Sequence, residues 1–154
     1  MKIKKLNILD CTLRDGGYYN NWDFSNELVN EYISTIKKSP IDVIEIGFKN
    51  IDSINFKGPF YYSTDEYINN LNLPKNKKYA VMINCDNFIN ENFYKLKLII
   101  KPSNKTRINI VRIAVNFDKY KNAKKIVNYI KSLNFDVGLN LMQSHNKTNK
   151  IYEE

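Results

Sequence analysis

Short apolar runs alternate with segments of helical periodicity along the chain. The runs are predicted as strands over residues 6–11, 41–48, 79–83, 108–115 and 137–142. Strands that alternate with helical segments are typical of βα units, which form a parallel sheet. Because such crossovers are right-handed, consecutive strands are expected side by side. The pattern predicts an α/β fold with a parallel sheet, either an open sheet or a partial (β/α)8 TIM barrel of about four βα units plus a fifth strand.

Two segments between these strands carry clear helical signals. Ser25 is a typical N-cap for a helix that continues to about Lys38. A second helix is predicted from Asp118, with apolar residues on one side and lysines on the other. Weaker patterns predict helical stretches near residues 65–71 and within 87–100.

The chain length limits how much of a barrel can be present. A chain of 154 residues can bury a real core in one domain. A complete (β/α)8 barrel usually needs about 250 residues. We therefore predict a partial barrel domain over residues 1–143, followed by a polar tail over residues 144–154.

The net charge changes the list of expected partners very little. The chain has 24 Lys+Arg and 16 Asp+Glu, for a net charge of +8. The lysines are spread over the whole length, and no zinc module, RNP-like motif or basic region before heptads accompanies them. This pattern favours a solvated basic surface and no nucleic-acid partner. No apolar stretch approaches the roughly 20 residues that cross a bilayer, so no membrane partner is expected.

The two cysteines indicate a reduced, cytoplasmic chain. Cys11 and Cys85 lie far apart and in no metal-ligand spacing. The N-terminal residues contain no apolar h-region of a signal peptide. Both thiols are expected to behave as small buried hydrophobes.

Candidate chemistry follows the first predicted strand, because parallel α/β folds gather reactive groups at the carboxyl ends of their strands. Arg14 and Asp15 stand there, and Gly16 and Gly17 come next. A carboxylate can hold a divalent cation, and a guanidinium can stabilise an oxyanion or enolate. The glycines are expected in a loop, where they let the backbone turn sharply and a substrate approach. The alternative is a structural ion pair with a glycine turn.

The segment Asp10-x-Thr12-Leu13-Arg14-Asp15-Gly16-Gly17 resembles the first-strand signature of the HMG-CoA lyase-like superfamily of metal-dependent TIM barrels. That superfamily includes pyruvate carboxyltransferase domains, and the Gly-Gly-Tyr continuation is most similar to 4-hydroxy-2-oxovalerate aldolase-like members. Residues 43–48 and 138–143 agree in order and spacing. The resemblance covers nearly the whole chain but only the first half to two-thirds of the family's barrel.

The resemblance implies roles for several side chains. It implies that Asp15 is a ligand of a divalent metal, Mn²⁺ or Mg²⁺, and that Arg14 stabilises the enolate of a small 2-oxo acid substrate. Tyr18 takes the position where aldolase members carry a histidine base, although a phenol is a weak base at neutral pH. Residues that the resemblance and the strand ends place in a substrate pocket are Glu45, Arg112, Asn140 and Gln143.

The family's metal site is incomplete in this sequence. The family completes it with a His-x-His pair, whereas this chain has one histidine, His145, which is expected to be solvated. Asp15 alone cannot hold a divalent cation tightly. The expected function is an aldolase-like C–C lyase that is weakly active or inactive alone. The alternative is a non-catalytic α/β module, with a homo-oligomer or a complementing chain bound through open sheet edges.

Overall fold

Five parallel strands form a curled half-barrel sheet with helices packed against it. The computed structural model describes residues 6–145. The strands are Leu9–Asp10 (β1), Val43–Phe48 (β2), Lys78–Asn84 (β3), Ile110–Asn116 (β4) and Asp136–Met142 (β5). Their order in the sheet is β1-β2-β3-β4-β5, and each neighbouring pair is parallel. The predicted partial TIM-barrel fold is therefore confirmed.

Helices lie between these strands. They are Thr12–Asn20 (α1), Asn26–Lys37 (α2), Pro59–Tyr62 (α3), Asp65–Asn70 (α4), Phe93–Ile99 (α5) and Ala123–Ser132 (α6). All of them except α1 and α3 fall in segments that were predicted to be helical. Ser25 caps α2, since its side chain accepts a hydrogen bond of 3.2 Å from the backbone N–H of Leu28. The helix predicted from Asp118 starts as a 3₁₀ turn, Phe117–Asn122, before α6 begins.

The predicted glycine loop after the first strand is wrong, because Gly16 and Gly17 lie inside α1. The chain turns later, at Asn21 and Trp22, whose φ angles are 58° and 59°. Gly17 is needed for packing: a Cβ there would lie 2.0 Å from Cδ1 of the Trp22 indole. That indole donates from Nε1 to the backbone oxygen of Arg14 at 2.8 Å. Packing against the tryptophan therefore overrides the low helix propensity of two glycines.

The first strand is also shorter than predicted. Hydrogen bonding to β2 extends only over Leu9–Asp10, instead of residues 6–11. Leu6 and Ile8 are 86% and 46% exposed, so this edge carries unburied apolar surface. Residues 146–154 of the predicted tail lie outside the described part of the chain. Within residues 6–145, no helix has the length and apolarity needed to cross a membrane.

The hydrophobic core fills the space between the sheet and the helices. Ile44 and Ile46 of β2, Ile113 of β4 and Ile126 of α6 are at most 1% exposed. Alternate residues of the same strands point to the other face, where β2 carries the fully buried Glu45. The apolar set thus secures the sheet while leaving the opposite face for polar groups.

One buried cation lies in the helical layer, away from those polar groups. Lys49, directly after β2, donates to the backbone oxygen of Ser63 at 2.9 Å and to Oδ1 of Asp65 at 3.2 Å. Burial lowers the pKa of the Lys49 ammonium, and the charge of Asp65 opposes the shift. Thr106 donates to the same Asp65 oxygen at 2.7 Å, so this cluster joins elements that are distant in sequence.

Candidate functional site

Side chains from α1, β4 and β5 gather around one buried carboxylate, Glu45 of β2. Arg14 donates from Nε to Oε2 of Glu45 at 2.5 Å. Arg112 of β4 donates from Nη1 to both carboxylate oxygens at 3.0 Å. It also donates from Nη2 to Oδ1 of Asn140 of β5 at 3.4 Å. Four of the residues named from the sequence therefore form one cluster, with Glu45 0% exposed at its centre.

Asp15 joins this cluster through Arg14. Nη1 of Arg14 lies 2.6 Å from Oδ1 of Asp15, and Nη2 donates to Oδ2 at 3.0 Å. The two side chains are 13% and 52% exposed, so Asp15 forms the solvent side of the pair. Burial lowers the pKa of the Arg14 guanidinium, but Glu45 and Asp15 outweigh burial and raise that pKa above its ordinary value. Arg14 is therefore a permanent cation held between two carboxylates.

The two cysteines differ from one another in the structure. Cys85 is fully buried, as predicted, and burial raises the pKa of its thiol to about 11. Cys11 is only half-buried and its thiol donates to Oδ2 of Asp15 at 3.0 Å. That hydrogen bond, with burial, raises the pKa of the Cys11 thiol. The expectation of a small buried hydrophobe is therefore wrong for Cys11, whose thiol contacts the candidate site.

A third carboxylate, Asp10, orders the start of α1, a role that the sequence analysis did not identify. Its Oδ1 accepts the Thr12 N–H at 3.0 Å, and its Oδ2 accepts the Thr12 hydroxyl at 3.0 Å. Tyr32 of α2 donates its hydroxyl to the same Oδ1 at 2.6 Å. Burial and this hydrogen bond raise the pKa of the Tyr32 phenol. Tyr32 lies within the helix predicted from Ser25 to about Lys38, and no sequence signal links it to Asp10.

Aromatic rings form a wall beside Arg14. The Phe48 ring lies 5.8 Å from Cζ of Arg14 and 6.2 Å from the Tyr18 ring. Trp22 packs edge-on against both Tyr18 and Phe48, at 4.8 Å and 5.6 Å between ring centroids. Tyr18 itself is 64% exposed. The guanidinium end of Arg14 therefore has an apolar surface on one side and the carboxylates on the other.

Three of the residues named from the sequence stand outside the hydrogen-bonded cluster in the described part of the chain. Tyr18 makes ring contacts only. Gln143 follows β5 directly, exposed and with a φ of 57°. His145 is exposed in the turn beyond it, as expected for a solvated residue.

The described residues do not form a complete metal site. Among residues 6–145, no group of three or more His, Cys, Asp or Glu side chains could hold a metal ion. The Asp15 carboxylate is already paired with Arg14 and Cys11, and Glu45 is paired with two guanidiniums. A divalent cation needs several oxygen ligands, and the neighbouring guanidiniums repel it. Asp15 can contribute one ligand here and no more.

Arg14 and Arg112 are the groups of the cluster that could bind a small organic anion. Two arginines and two acids give the cluster no net charge. Guanidinium groups bind carboxylates and enolate oxygens through paired, charge-assisted hydrogen bonds. Arg112 is 23% exposed, so it can reach a bound anion while Glu45 holds it in place.

Comparison with known proteins agrees with the fold. No family model matches the chain, and no curated protein matches it. The chain is similar to a solved structure described as the "N-terminal domain of a putative aldolase from Bacteroides vulgatus". The two are 36% identical and superpose with a TM-score of 0.80, over 95% of this chain and 48% of the other. The chain has an aldolase-like fold and spans about half the length of the structure it matches.

Proposed function

We propose that this chain provides the amino-terminal half-site of an aldolase-like lyase that acts on a 2-oxo acid. The observation that carries the proposal is the pair of guanidiniums, Arg14 and Arg112, held by one buried carboxylate, Glu45, on the face of the sheet opposite the hydrophobic core. The similarity to a structure described as the "N-terminal domain of a putative aldolase" supports the same reaction class. The HMG-CoA lyase-like assignment rests on the resemblance of the segment around Arg14 and Asp15.

The proposed reaction is cleavage of a 4-hydroxy-2-oxo acid of the 4-hydroxy-2-oxovalerate type. A base takes the proton of the 4-hydroxyl, the C3–C4 bond breaks, and the aldehyde leaves. The electron pair of that bond remains on the pyruvate part as an enolate, which is then protonated at C3. The negative charge develops on the 2-oxo oxygen, where a fixed guanidinium stabilises it with little reorganisation. Arg14 is the proposed donor, and Arg112 and Asn140 hold the carboxylate end.

Two further assignments belong to this proposal. Tyr18, the most exposed ring of the aromatic wall, is the proposed proton-transfer group, three residues after Asp15. Asp15 is the proposed single ligand that this chain offers to Mn²⁺ or Mg²⁺. The remaining ligands would come from residues outside the described part or from another chain. Gln143 is proposed to line the mouth of the pocket beyond β5.

Binding of a planar enolate mimic tests the guanidinium assignment without requiring a complete active site. Oxalate is titrated into the chain by calorimetry, with EDTA present. We expect measurable binding that Arg112→Gln weakens about tenfold or more, since a charge-assisted pair is lost. Lys38→Gln, which removes an exposed cation at the end of α2, is the matched control and should leave binding unchanged. Equal affinity in wild type, Arg112→Gln and the control would refute the assignment.

Turnover is a separate test. The purified chain with Mn²⁺ should cleave 4-hydroxy-2-oxovalerate very slowly or not at all, because its own residues supply only one metal ligand. Aldehyde release is followed with a coupled dehydrogenase. Rapid cleavage that Asp15→Ala abolishes would contradict the half-site and show a complete enzyme.

The second candidate function is a non-catalytic α/β module that acts by association. The observation that favours it is the open edge of the sheet: β5 is an outer strand, and its residues are exposed or half-buried throughout. Under this alternative, oxalate would not bind the arginine pair and association would persist. The oxalate titration therefore separates the two functions.

A further inference from the structure

The outer strand β5 carries apolar surface that the described chain does not cover. Leu139 is 43% exposed, whereas its partner on β4, Ile113, is completely buried. Since β5 is the last strand of the sheet, one row of its backbone groups has no strand beside it within residues 6–145. Such an edge is a template for pairing with another strand.

A groove lies next to this strand, between β5 and α6. Its volume is about 430 Å³, and Ala123, Val127 and Leu139 form its apolar floor. Lys121 and Lys124, both exposed, stand on its rim. An apolar floor with a basic rim fits a helix that presents an apolar side chain flanked by acids.

The opposite edge of the same chain presents a helix of this kind, α2. Leu28 of α2 is 51% exposed, and the neighbouring Glu27 and Glu31 are exposed on the same helix. The strand at this edge, β1, has Ile8 just before it, 46% exposed. The two edges of one chain are therefore complementary, with a basic groove at β5 and an acidic, apolar ridge at α2.

We propose that two copies of this chain associate head to tail, with β5 of one copy beside β1 of the other. In this arrangement Leu28 of one copy packs towards the groove of the other, and Glu27 and Glu31 approach Lys121 and Lys124. Because each sheet is curled, two such contacts close a two-fold ring around the sheet axis. The side chains that the proposal pairs lie outside the arginine cluster, although β5 also carries Asn140, and the proposal goes beyond the proposed function.

A symmetric pairing of β5 with β5 is disfavoured by charge. It would bring the lysine-rich α6 helices of both copies together, and like charges in contact are repulsive. The net charge of +8 on each copy opposes any association, so the local complementarity sets the orientation. The expected complex is therefore a reversible dimer.

Charge reversal provides the test, with sedimentation equilibrium of the full chain as the measurement. Wild type should pass from the 18.2 kDa monomer to twice that mass as concentration rises. The double variant Glu27→Lys/Glu31→Lys should raise the dissociation constant about tenfold or more. The double variant Lys121→Glu/Lys124→Glu should do the same. An equimolar mixture of the two variants should dimerise again, because both contacts of the ring are then complementary.

The control and the contrary outcomes are defined by the same measurement. The control is Glu66→Lys/Glu91→Lys, which changes the net charge as much as Glu27→Lys/Glu31→Lys does but at exposed positions outside the proposed contact. Its dissociation constant should be lower than that of Glu27→Lys/Glu31→Lys. Far-UV circular dichroism checks that each variant is folded. A mass that stays at one chain, growth into larger polymers, or a dimer that the mixture fails to restore would overturn the proposal.

Discussion

Replacing Glu45 with glutamine removes the one charge that holds the arginine cluster together. The side chain is 0% exposed and accepts hydrogen bonds from Arg14 at 2.5 Å and from Arg112 at 3.0 Å to each oxygen. Glutamine has nearly the same shape but offers one acceptor oxygen, and its NH₂ group then faces a guanidinium N–H. Two donors would meet where a donor and a charged acceptor met before.

The expected loss of stability follows from these contacts. Removing one partner of a buried ion pair costs about 3–5 kcal/mol, because the remaining charge is left uncompensated. Here the Arg14 and Arg112 side chains are 13% and 23% exposed, so water compensates part of that loss. We therefore expect Glu45→Gln to lower the free energy of unfolding by about 3 kcal/mol. For a domain of this size, that corresponds to a decrease in Tm of roughly 10 °C.

Urea unfolding followed by circular dichroism measures the change, with linear extrapolation to water. The matched control is Asp136→Asn, which breaks the surface pair between Lys78 and Asp136, whose side chains are 60% and 69% exposed. Surface pairs contribute about 0–1 kcal/mol, so the control should change little. If the free energy of unfolding of Glu45→Gln stays within about 0.5 kcal/mol of the wild-type value, the hydrogen bonds of Glu45 do not stabilise the fold and the reasoning is refuted.

Three further predictions concern the glycines, the buried lysine and the metal. Gly17→Ala should lower the free energy of unfolding by about 1–3 kcal/mol, because the new Cβ displaces Trp22. Gly16→Ala should raise it by about 0.5–1 kcal/mol, because a Cβ there lies 3.5 Å from its nearest neighbour. Urea midpoints that move in the same direction in both variants would contradict this. The pKa of Lys49 is lowered by burial, so the unfolded chain binds more protons up to about pH 10.4 and stability rises with pH there. The urea midpoint of wild type should therefore rise from about pH 8 to about pH 10, and that of Lys49→Met should not. Parallel pH profiles of the two proteins would refute this prediction. Mn²⁺ should bind with a dissociation constant above about 0.1 mM by electron paramagnetic resonance, and tight binding that Asp15→Asn removes would show ligands beyond those described.

Local sequence patterns predicted the order of strands and helices well. Alternating apolar runs are read directly from the chain, and each strand was placed within a few residues of its observed bounds, β1 being the least accurate. The cap at Ser25 is likewise a local interaction, between residues three apart. Position at a strand end was enough to single out Arg14 and Asp15, because parallel strands bring their carboxyl ends together.

The helical state of Gly16 and Gly17 could not be obtained in this way. Glycine has a low helix propensity, and the sequence alone does not show that Trp22 folds back over Gly17. Packing against Trp22 leaves no room for a side chain at position 17, so glycine is required there although it has a low helix propensity.

The sequence by itself determined the fold class and the motif that carries Arg14 and Asp15. Only the tertiary structure decided that Glu45 and Arg112, which are 67 positions apart, share a hydrogen bond. The physical reason is that periodicity reports which face of an element is buried, whereas side-chain partners across a sheet are set by strand register and curl.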